Sequence, residues 1–402
     1  MKSETEEVMV LSGIRTPVGR HGGGLSEVRP DDLLAGVLRE AVERSEVDRD
    51  ALEEVSVGIV NASGEAMGNV ARYSSLLAGL PVGVAGVSMN CFCGSGLAAF
   101  NALSHAIAAG SVAAGVAAGV ESMSRSTWPV LKPQSPRYVG PALGGRDSMF
   151  SGAGGPQNPK LEADGTMIEM PEGAQAIAAE YKISREDMDA YALRSHERAV
   201  AASDNGHFVE EIVPVRTPQG LLESDETIRS DSSLERLARL RPYDAAAADI
   251  TAGNASPVSD GASALVLAAG EAARDAGQPI ARVIGTAVAA VEPGRFSIAP
   301  VFAIRKLLDR ASMTIDDVDL IELNEAFAAQ MVACIRELDL DESRLNVNGG
   351  ALALGHALGN SGTRLTVTLI HEMKRRGSRF GIASLCIAGG QGIATLFERV
   401  DG

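Results

Sequence analysis

The sequence predicts an α/β fold whose sheets are covered by helices on both faces. Short β-branched runs alternate with helical patterns over the first 125 residues, and this alternation is typical of parallel βαβ units. No charged residue occurs between Arg72 and Glu121, as expected for strands that are buried on both faces. An internal repeat of helix and strand indicates that one layer is built twice.

The predicted elements of the first half follow one another in a regular order. EEVMVLSGI predicts a strand. A helix then begins behind the acidic residues Asp31 and Asp32, and its apolar residues recur at helical spacing, as Leu33, Leu34, Val37, Leu38, Ala41 and Val42. Beyond it we expect the strand VSVGIV, a helix near Asn69 to Ala78, the strand GVSMN, an alanine-rich helix from about Ser95 and the strand VAAGVAAGV.

The middle of the chain is predicted to be an insertion of loops and surface helices. Proline- and glycine-rich runs, including 151–159, precede a charged helix around Ser184 to Ala202. Buried strands return after TAGNASPVSDGAS as ALVLAAG, RVIGTAVAAV, DLIEL, LNVNGG, FGIASLC and QGIATLFE. We therefore expect an N-terminal half at 1–121, the insertion at 122–250 and a C-terminal half at 251–402.

The repeat relates one segment of each half. CGSGLAAFNALSHAIAAGSVAAGVAAGVES aligns in order with GNSGTRLTVTLIHEMKRRGSRFGIASLCIA. Each copy has a glycine–serine turn, a helix, a short link and a buried strand. Two such layers packed against each other would bury both uncharged faces.

Composition excludes several classes of protein. With 402 residues, 45% hydrophobic and 22% charged, the chain is neither disordered, collagen-like nor a small disulfide scaffold. The net charge of −16 opposes a nucleic-acid partner, although a local basic pocket for a small polyanion stays open. The uncharged stretch is too rich in Ala, Gly and Ser for a membrane span.

The cysteines and the N-terminus favour a reducing, cytoplasmic setting. Cys91, Cys93, Cys334 and Cys386 are too few to staple a chain of this length, and MKSETEE lacks the apolar region of a signal peptide. Cys91-x-Cys93 is too tight for the usual zinc spacing, so no metal is expected. No glycine-rich phosphate loop is present either.

Two cysteines are candidates for chemistry. Cys93 precedes Gly94, Ser95 and a helix, and the positive end of a helix lowers a thiol pKa, which predicts a thiolate. Cys386 ends the strand GIASLC before a glycine-rich turn, where a ligand can approach the sulfur. For each cysteine the alternative is a small buried hydrophobic residue.

Three polar residues are further candidates. His356, in NVNGGALALGHALGNSG, is either a structural histidine or the base that a thiol nucleophile needs. Asn324 and Glu325 lie where the strand DLIEL passes into the helix EAFAAQMVACI. That junction places an amide over an active site or simply caps the helix.

Taken together, these strings resemble the thiolase family over nearly the whole chain. NCFCGSGLAAF is similar to the nucleophile segment of the family, NVNGGALALGHALGNSG to its histidine segment, LCIAGGQG to its second-cysteine segment and NEAF to its Asn-Glu-Ala-Phe box. GVESMS and TAGNAS-x-x-x-DGAS match further family strings in the same order. The resemblance implies a five-layer αβαβα thiolase fold with a loop-rich insertion.

The resemblance also implies a reversible, ping-pong Claisen exchange between acyl-CoA thioesters, as in fatty-acid β-oxidation. By position, Cys93 is the nucleophile that becomes acylated, His356 its base, and Cys386 the acid or base at the α-carbon. Asn324 would hold a water in an oxyanion hole shared with His356, and the N–H groups of Cys93 and Ala388 would form a second hole. CoA and acyl-CoA are then substrates, and no cofactor is implied.

The same resemblance assigns CoA contacts and an assembly. Ser256 and Phe327 match residues near the pantetheine, and Arg229 matches a basic residue near the adenine nucleotide. Family members are homodimers or homotetramers.

Two positions and one stretch depart from the family pattern. Ala357 stands where the family has a proline, which would fix φ, and Ala388 where it has a glycine. The stretch 169–176 matches poorly, so acyl length and branching stay open, as does the direction of the reaction.

Two other functions compete with a thiolase. A decarboxylating condensing enzyme of the same superfamily would lack a second catalytic cysteine, and Cys386 argues against it. A non-catalytic acyl-CoA or lipid binding protein would have lost a catalytic residue, whereas all four main positions are filled. The sequence therefore favours an active thiolase.

Overall fold

The computed structural model describes residues 6–127, 160–161 and 168–400. The proline- and glycine-rich part of the expected insertion, including 151–159, lies outside the described residues. The strands are β1 (Met9–Arg15), β2 (Gly19–Arg20), β3 (Leu52–Gly58), β4 (Ala85–Met89), β5 (Ala114–Ser122), β6 (Val215–Thr217), β7 (Gly220–Leu222), β8 (Ser259–Ala268), β9 (Ala281–Ala290), β10 (Leu320–Leu323), β11 (Phe380–Ile387) and β12 (Gln391–Arg399).

The α-helices are numbered in chain order. They are α1 (Pro30–Ser45), α2 (Val70–Leu77), α3 (Ser95–Ala108), α4 (Met170–Glu180), α5 (Arg185–Asp204), α6 (Leu234–Ala238), α7 (Gly270–Arg274), α8 (Ala299–Ala311), α9 (Ala328–Leu338), α10 (Ala351–Leu354) and α11 (Leu358–Arg376). The predicted apolar stripe of α1 is buried throughout. The charged helix α5 is capped by Ser184, whose side chain and that of Asp187 form a capping box.

The strands form two half-sheets that meet at a short ladder. The order is β10-β11-β12-β9-β1-β8-β5-β3-β4, with β2 paired to β8. Strands β4, β3 and β5 run parallel to one another, as do β10 and β11. Only Met9 and Val10 of β1 pair with β9, through Arg282 and Ala281. Strands β1 to β5 and β8 therefore form the first half-sheet, and β9 to β12 form the second.

Helices separate and cover the two half-sheets in five layers. Helices α3 and α11 pack against each other and against strands of both half-sheets. Helices α1 and α2 cover the outer face of the first half-sheet, and α8 covers that of the second with α9 beside it. The apolar core lies in three clusters, two outer and one central. The predicted αβαβα thiolase-type architecture is confirmed.

Glycines allow the two central helices to cross closely at their N-terminal ends. A Cβ atom on Gly96 of α3 would lie 2.8 Å from the Gly359 carbonyl oxygen, and one on Gly362 would lie 2.2 Å from the Leu97 nitrogen. Cβ atoms do not approach other atoms so closely, so these positions require glycine. The repeated glycine–serine motifs are thus the contact that joins the two halves.

The division of the chain into halves differs from the sequence prediction at one strand. β8 was expected to open the C-terminal half after residue 250, but it pairs with β1 and β5 in the first half-sheet. The topology therefore favours a boundary after β8. Sequence periodicity could not show this, because a buried strand has the same pattern in either half-sheet.

LNVNGG is not a strand, contrary to the prediction. Asn346 and Gly349 have positive φ values of 44° and 78°, which a strand does not accommodate. The Asn346 side chain takes the place of a neighbouring strand, since it accepts from the Leu323 N–H at 2.9 Å and donates to the Leu323 carbonyl at 2.8 Å. The segment is a turn that leads toward His356.

The uncharged stretch contains the end of α2, then β4, α3 and β5. β5 is buried along its whole length, as predicted, whereas β4 is only half-buried because it is the edge strand. In the part of the chain that the structure describes, no helix combines the length and apolarity needed to cross a bilayer.

Candidate active site

Cys93 lies in a tight turn between β4 and α3. Phe92 adopts a left-handed φ of 45°, a conformation that is uncommon for an aromatic residue and costs energy. The Ser95 hydroxyl stabilises the turn, since it accepts from the Cys91 N–H at 2.8 Å and donates to the Phe92 carbonyl at 2.6 Å. This turn places the buried Cys93 at the N-terminal end of α3.

The surroundings of Cys93 do not favour the predicted thiolate. Burial raises the pKa of Cys93 to about 12, against the opposite effect of the Cys93 and Ala388 N–H groups near its sulfur. A helix N-terminus stabilises a nearby anion by about 0.3–1 kcal/mol, which corresponds to less than about one pKa unit. Full burial, in contrast, can raise the pKa of a thiol by about 3–5 units. Desolvation therefore outweighs the helix, and the resting group is a neutral thiol.

Cys386 lies close to Cys93, at the end of β11. A Cβ atom on Gly94 would lie 2.4 Å from the Ile387 side chain, so the two cysteine-bearing segments touch. Burial raises the pKa of Cys386 well above its usual range, and the neighbouring Cys93 acts in the same direction. Gly389 and Gly390 have positive φ and turn the chain so that the Ala388 N–H faces the Cys93 sulfur.

His356 presents an unpartnered nitrogen in the same region. The backbone N–H of His356 donates to the Pro257 carbonyl at 3.1 Å, which anchors the loop between α10 and α11. The Ser361 hydroxyl donates to the Ala357 carbonyl at 2.9 Å and lies 2.6 Å from Nδ1. Because that hydroxyl has one proton, Nδ1 must be the donor to it. Nε2 is then an unprotonated acceptor, and it is buried without a partner among the described residues.

The charge state of His356 suits a base. Burial lowers its pKa to about 3, and the Arg364 guanidinium acts in the same direction. The imidazole is consequently neutral at pH 7, as a proton acceptor must be, although so low a pKa makes it a weak base toward a thiol. Ser361 fixes the tautomer, and the sequence analysis did not single it out, although it lies within the repeated glycine–serine motif.

Asn324 does not cap a helix. Helix α9 begins at Ala328, four residues after Asn324. The Ala326 N–H, which precedes the helix, donates to the Gln330 side chain at 2.9 Å and not to Asn324. The Asn324 N–H donates to the Ser384 carbonyl at 2.9 Å, which holds the residue beside β11, two positions before Cys386. Both polar side-chain atoms of Asn324 are buried and lack a partner in the described part of the chain, so the amide is available to a ligand.

Glu121 is a second residue that the sequence analysis missed. Its buried carboxylate accepts from the N–H groups of Val60 and Gly359 at 2.9 Å and of Asn61 at 3.0 Å. Burial raises the pKa of Glu121 to about 7. Glu121 thus ties β5 of the first half to the start of α11, next to His356. Its position as the residue that ends the uncharged stretch was the available signal.

Of the three predicted CoA contacts, Arg229 lines a cleft. A cavity of about 510 Å³ is lined by residues that include Arg229, Pro257 and Leu352. Ser256 and Phe327 do not line this cavity. Ser256 precedes Pro257 in the chain, and its N–H donates to the Ala326 carbonyl at 3.0 Å, next to Phe327. The Arg229 side chain is exposed and makes no ion pair within the described ranges. The cleft therefore offers a free cation to an anionic ligand.

Proline should be compatible with position 357. Ala357 has a φ of −75°, close to the value that proline imposes, and its N–H donates no hydrogen bond among the described residues. Ala357→Pro should stabilise the protein by about 0.4–1 kcal/mol, as measured by urea unfolding. Ala353→Pro is the control and should destabilise, because the Ala353 N–H donates to the Gly350 carbonyl. Destabilisation by Ala357→Pro would show that the histidine loop requires another conformation.

Alkylation by iodoacetamide should reveal the charge state of Cys93. A neutral thiol with a raised pKa and a neutral His356 predict an alkylation rate that climbs steadily with pH, because the thiolate is the reactive form. The rate of Cys93 labelling should be followed by mass spectrometry from pH 6 to 9. A plateau below about pH 8 would instead indicate a thiolate–imidazolium pair.

Comparison with known proteins gives a consistent result. The family model described as "Thiolase, N-terminal domain" matches residues 8–271, and "Thiolase, C-terminal domain" matches residues 277–399. The chain is 47% identical to a beta-ketoadipyl-CoA thiolase of Pseudomonas aeruginosa, over 98% of this chain and 100% of that protein. It is 44% identical to a 3-oxoadipyl-CoA/3-oxo-5,6-dehydrosuberyl-CoA thiolase of Escherichia coli, with the same coverage.

Solved structures share the fold. Human mitochondrial 3-ketoacyl-CoA thiolase in complex with CoA has a TM-score of 0.90 at 35% identity, covering 98% of each chain. Acetyl-CoA acetyltransferase of Bacillus anthracis has a TM-score of 0.90 at 37% identity, covering 99% of this chain and 100% of that one.

Proposed function

Because the chain belongs to the thiolase family and is a CoA-dependent acyltransferase, we propose that it cleaves 3-oxoadipyl-CoA with CoA. The observation that carries this proposal is the 47% identity to a beta-ketoadipyl-CoA thiolase over almost the whole of both chains. A short dicarboxylic acyl chain is thereby favoured over the fatty-acyl chains of β-oxidation. Breaking the C2–C3 bond of this six-carbon diacid yields succinyl-CoA and acetyl-CoA.

The proposed first half-reaction uses both thiols. Nε2 of His356 takes the proton of Cys93, and the sulfur attacks the C3 carbonyl carbon. The C2–C3 bond then breaks, the succinyl group stays on Cys93 as a thioester, and acetyl-CoA leaves as its enolate. Cys386 gives its proton to the enolate carbon. The raised pKa of Cys386 supports this role, since an acid must be protonated at neutral pH.

The second half-reaction regenerates the enzyme. The thiol of a free CoA molecule gives its proton to the Cys386 thiolate that the first half-reaction leaves, and its sulfur attacks the succinyl thioester. Succinyl-CoA is released, and the leaving sulfur of Cys93 takes back the proton held by His356. The N–H groups of Cys93 and Ala388, which both face the Cys93 sulfur, support an oxyanion hole for the thioester oxygen. The unpartnered Asn324 amide supports the second hole, with a water and His356. One such donor is worth about 3–4 kcal/mol in the transition state.

A panel of 3-ketoacyl-CoA substrates tests the proposed substrate. The panel should contain 3-oxoadipyl-CoA, the uncharged 3-oxohexanoyl-CoA of equal chain length, acetoacetyl-CoA and longer chains, with acetyl-CoA measured as product. We expect cleavage only with free CoA and a kcat/KM at least about 10-fold higher for the diacid, the worth of one charge-assisted hydrogen bond. Equal or better cleavage of 3-oxohexanoyl-CoA would contradict the dicarboxylic assignment, and no turnover on any member would contradict the thiolase activity.

Arg229 should contribute to CoA affinity and not to chemistry. Arg229→Ala should raise the KM for CoA about 10-fold with kcat unchanged, since one charge-assisted contact to a phosphate is worth about 1.5 kcal/mol. Steady-state kinetics with CoA and with pantetheine as acyl acceptors distinguish the sites of action, because pantetheine lacks the nucleotide. An equal effect on both acceptors would place Arg229 elsewhere.

We also propose that the protein is a homodimer or homotetramer. The edge strand β4 and the neighbouring α2 expose apolar side chains, among them Tyr73, Leu77 and Val87, and an unpaired apolar edge favours association. Sedimentation velocity checks this, and a monomer at micromolar concentration would contradict it. The cytoplasmic location and the absence of a cofactor stay predictions.

A further inference from the structure

The Glu325 carboxylate is fully buried next to Asn324 and is held by four donors. The Tyr191 hydroxyl and the Asn346 side-chain amide each donate to Oε1 at 2.9 Å. The Ser195 hydroxyl donates to Oε2 at 2.6 Å, and the Leu352 N–H donates to the same oxygen at 3.1 Å. All four donors are neutral. A buried carboxylate without a cation in contact is costly, so this arrangement needs a reason beyond stability.

The four donors come from segments that build different parts of the active-site region. Tyr191 and Ser195 belong to α5, the helix whose His196 lines the CoA cleft. Leu352 belongs to α10 and also lines that cleft. α10 leads directly to His356, and Glu325 itself follows Asn324. One carboxylate therefore connects the cleft helix, the histidine loop and the turn that carries the Asn324 amide.

The surroundings leave this carboxylate no room to move. A Cβ atom on Gly350 would lie 2.2 Å from the Glu325 carboxyl carbon. The Gly350 N–H in turn donates to the Ser195 hydroxyl at 3.1 Å, so Ser195 is itself held on both sides. Displacement of α5, of α10 or of the turn that carries Glu325 would therefore break hydrogen bonds to the other two segments.

A glutamine could not replace this glutamate. Each carboxylate oxygen accepts one hydroxyl and one N–H group. Hydroxyl groups can rotate and accept instead, whereas the Asn346 amide and the Leu352 N–H can only donate here. The NH₂ group of a glutamine would therefore face one unpaired N–H in either orientation, at a cost typical of an unsatisfied buried donor. Only an acceptor with two equivalent oxygens satisfies the site.

We propose that Glu325 is a positioning residue, which holds the Asn324 amide and the His356 loop in fixed register with the cleft that binds CoA. This inference rests on the proposed function, because it assigns the oxyanion hole to Asn324 and His356. Glu325 touches none of the reacting atoms and acts through its neighbours. Misplacement of preorganised donors by a fraction of an ångström lowers the rate of the chemical step more than substrate affinity.

The main test is Glu325→Gln compared with a matched pair on the protein exterior. Tyr181 donates to Glu337 at 2.8 Å, outside the cleft, and Glu337→Gln is therefore the control. We expect Glu325→Gln to lower kcat about 10- to 100-fold with the KM for CoA changed less than about 3-fold, and Glu337→Gln to leave both unchanged. The rate of Cys93 alkylation by iodoacetamide should stay within about 2-fold of wild type, since Glu325 does not hold the Cys93 turn.

Two milder variants keep the proposal falsifiable if Glu325→Gln does not fold. Tyr191→Phe and Ser195→Ala each remove one hydroxyl donor, and each should lower kcat about 3- to 10-fold with KM unchanged. A kcat equal to wild type in these variants, or a loss that is shared equally by Cys93 alkylation, would overturn the positioning role. If the wild type cleaves its substrate and the variants are equally active, only this inference is contradicted. If the wild type turns over no substrate, the proposed function is contradicted as well.

Discussion

Cys93→Ala should abolish thiolysis and leave no acyl-enzyme detectable by mass spectrometry after incubation with 3-oxoadipyl-CoA or acetyl-CoA. The expected loss in kcat is about 10⁴-fold or more, as for removal of a nucleophile on which every later step depends. The neutral buried thiol of Cys93 lies beside the N–H groups of Cys93 and Ala388, so the alanine variant retains the pocket and lacks only the sulfur.

Cys386→Ala should separate the two half-reactions. Acylation of Cys93 by acetyl-CoA should continue, because it needs only Cys93 and His356. Exchange of the α-proton of acetyl-CoA with deuterium should stop, since it needs the second thiol. Mass spectrometry of the protein and NMR of the thioester measure the two events independently.

Cys334 provides a control for both variants. It is a buried thiol near Cys386 that donates to the Ser297 carbonyl at 3.3 Å, and it has no role in the proposed mechanism. Cys334→Ala should keep acylation and exchange within a few-fold of wild type. Equal loss of both half-reactions in Cys386→Ala would contradict the division of labour between the thiols.

Arg15→Met should have the largest effect on stability. Arg15 is fully buried at the end of β1 and binds Asp225 through two hydrogen bonds of 2.7 and 3.0 Å and Glu211 through one of 2.6 Å. Its guanidinium also stacks over Phe208 at 5.1 Å. Removal of the cation leaves two buried carboxylates uncompensated, which costs about 3–5 kcal/mol. Urea unfolding at pH 7 measures the change in the free energy of unfolding.

An exposed ion pair provides the comparison. Lys374 and Glu210 are 60% and 72% exposed and lie 3.5 Å apart, so Lys374→Met should cost less than about 1 kcal/mol. Arg15→Lys should fall between the two, because lysine keeps the charge and loses the planar fork. A change below about 1 kcal/mol in Arg15→Met would show that the buried network does not stabilise the fold.

Local pattern was sufficient to predict much of the architecture. The apolar spacing behind Asp31 and Asp32 identified α1, and the glycine–serine repeat identified the paired central helices. β8 could not be assigned to its half-sheet, since pairing partners leave no mark on the strand's own sequence. LNVNGG was mistaken for a strand because the decisive interaction, the Asn346 side chain on Leu323, is non-local.

The candidate site was predicted unevenly, for a physical reason. Cys93, His356, Cys386 and Asn324 stand in distinctive strings. Ser361 and Glu121 act through hydrogen bonds to backbone or side chains elsewhere in the fold, which a string does not display. Glu325 stands in one of the strings, but its four donors could not be read from it. The charge state of Cys93 depends on how completely the fold buries the thiol, and burial outweighed the helix effect on which the prediction was based.

The seam between the halves has a consequence for protein synthesis. The proposed nucleophile belongs to the N-terminal half of the chain, whereas His356, Asn324 and Cys386 belong to the C-terminal half, and the half-sheets share only a short ladder. A chain that is cut short on the ribosome therefore has a thiol with neither base nor acid beside it. We therefore expect a fragment that ends before Asn324 to be inactive, since the proposed reaction needs residues from both halves of the chain.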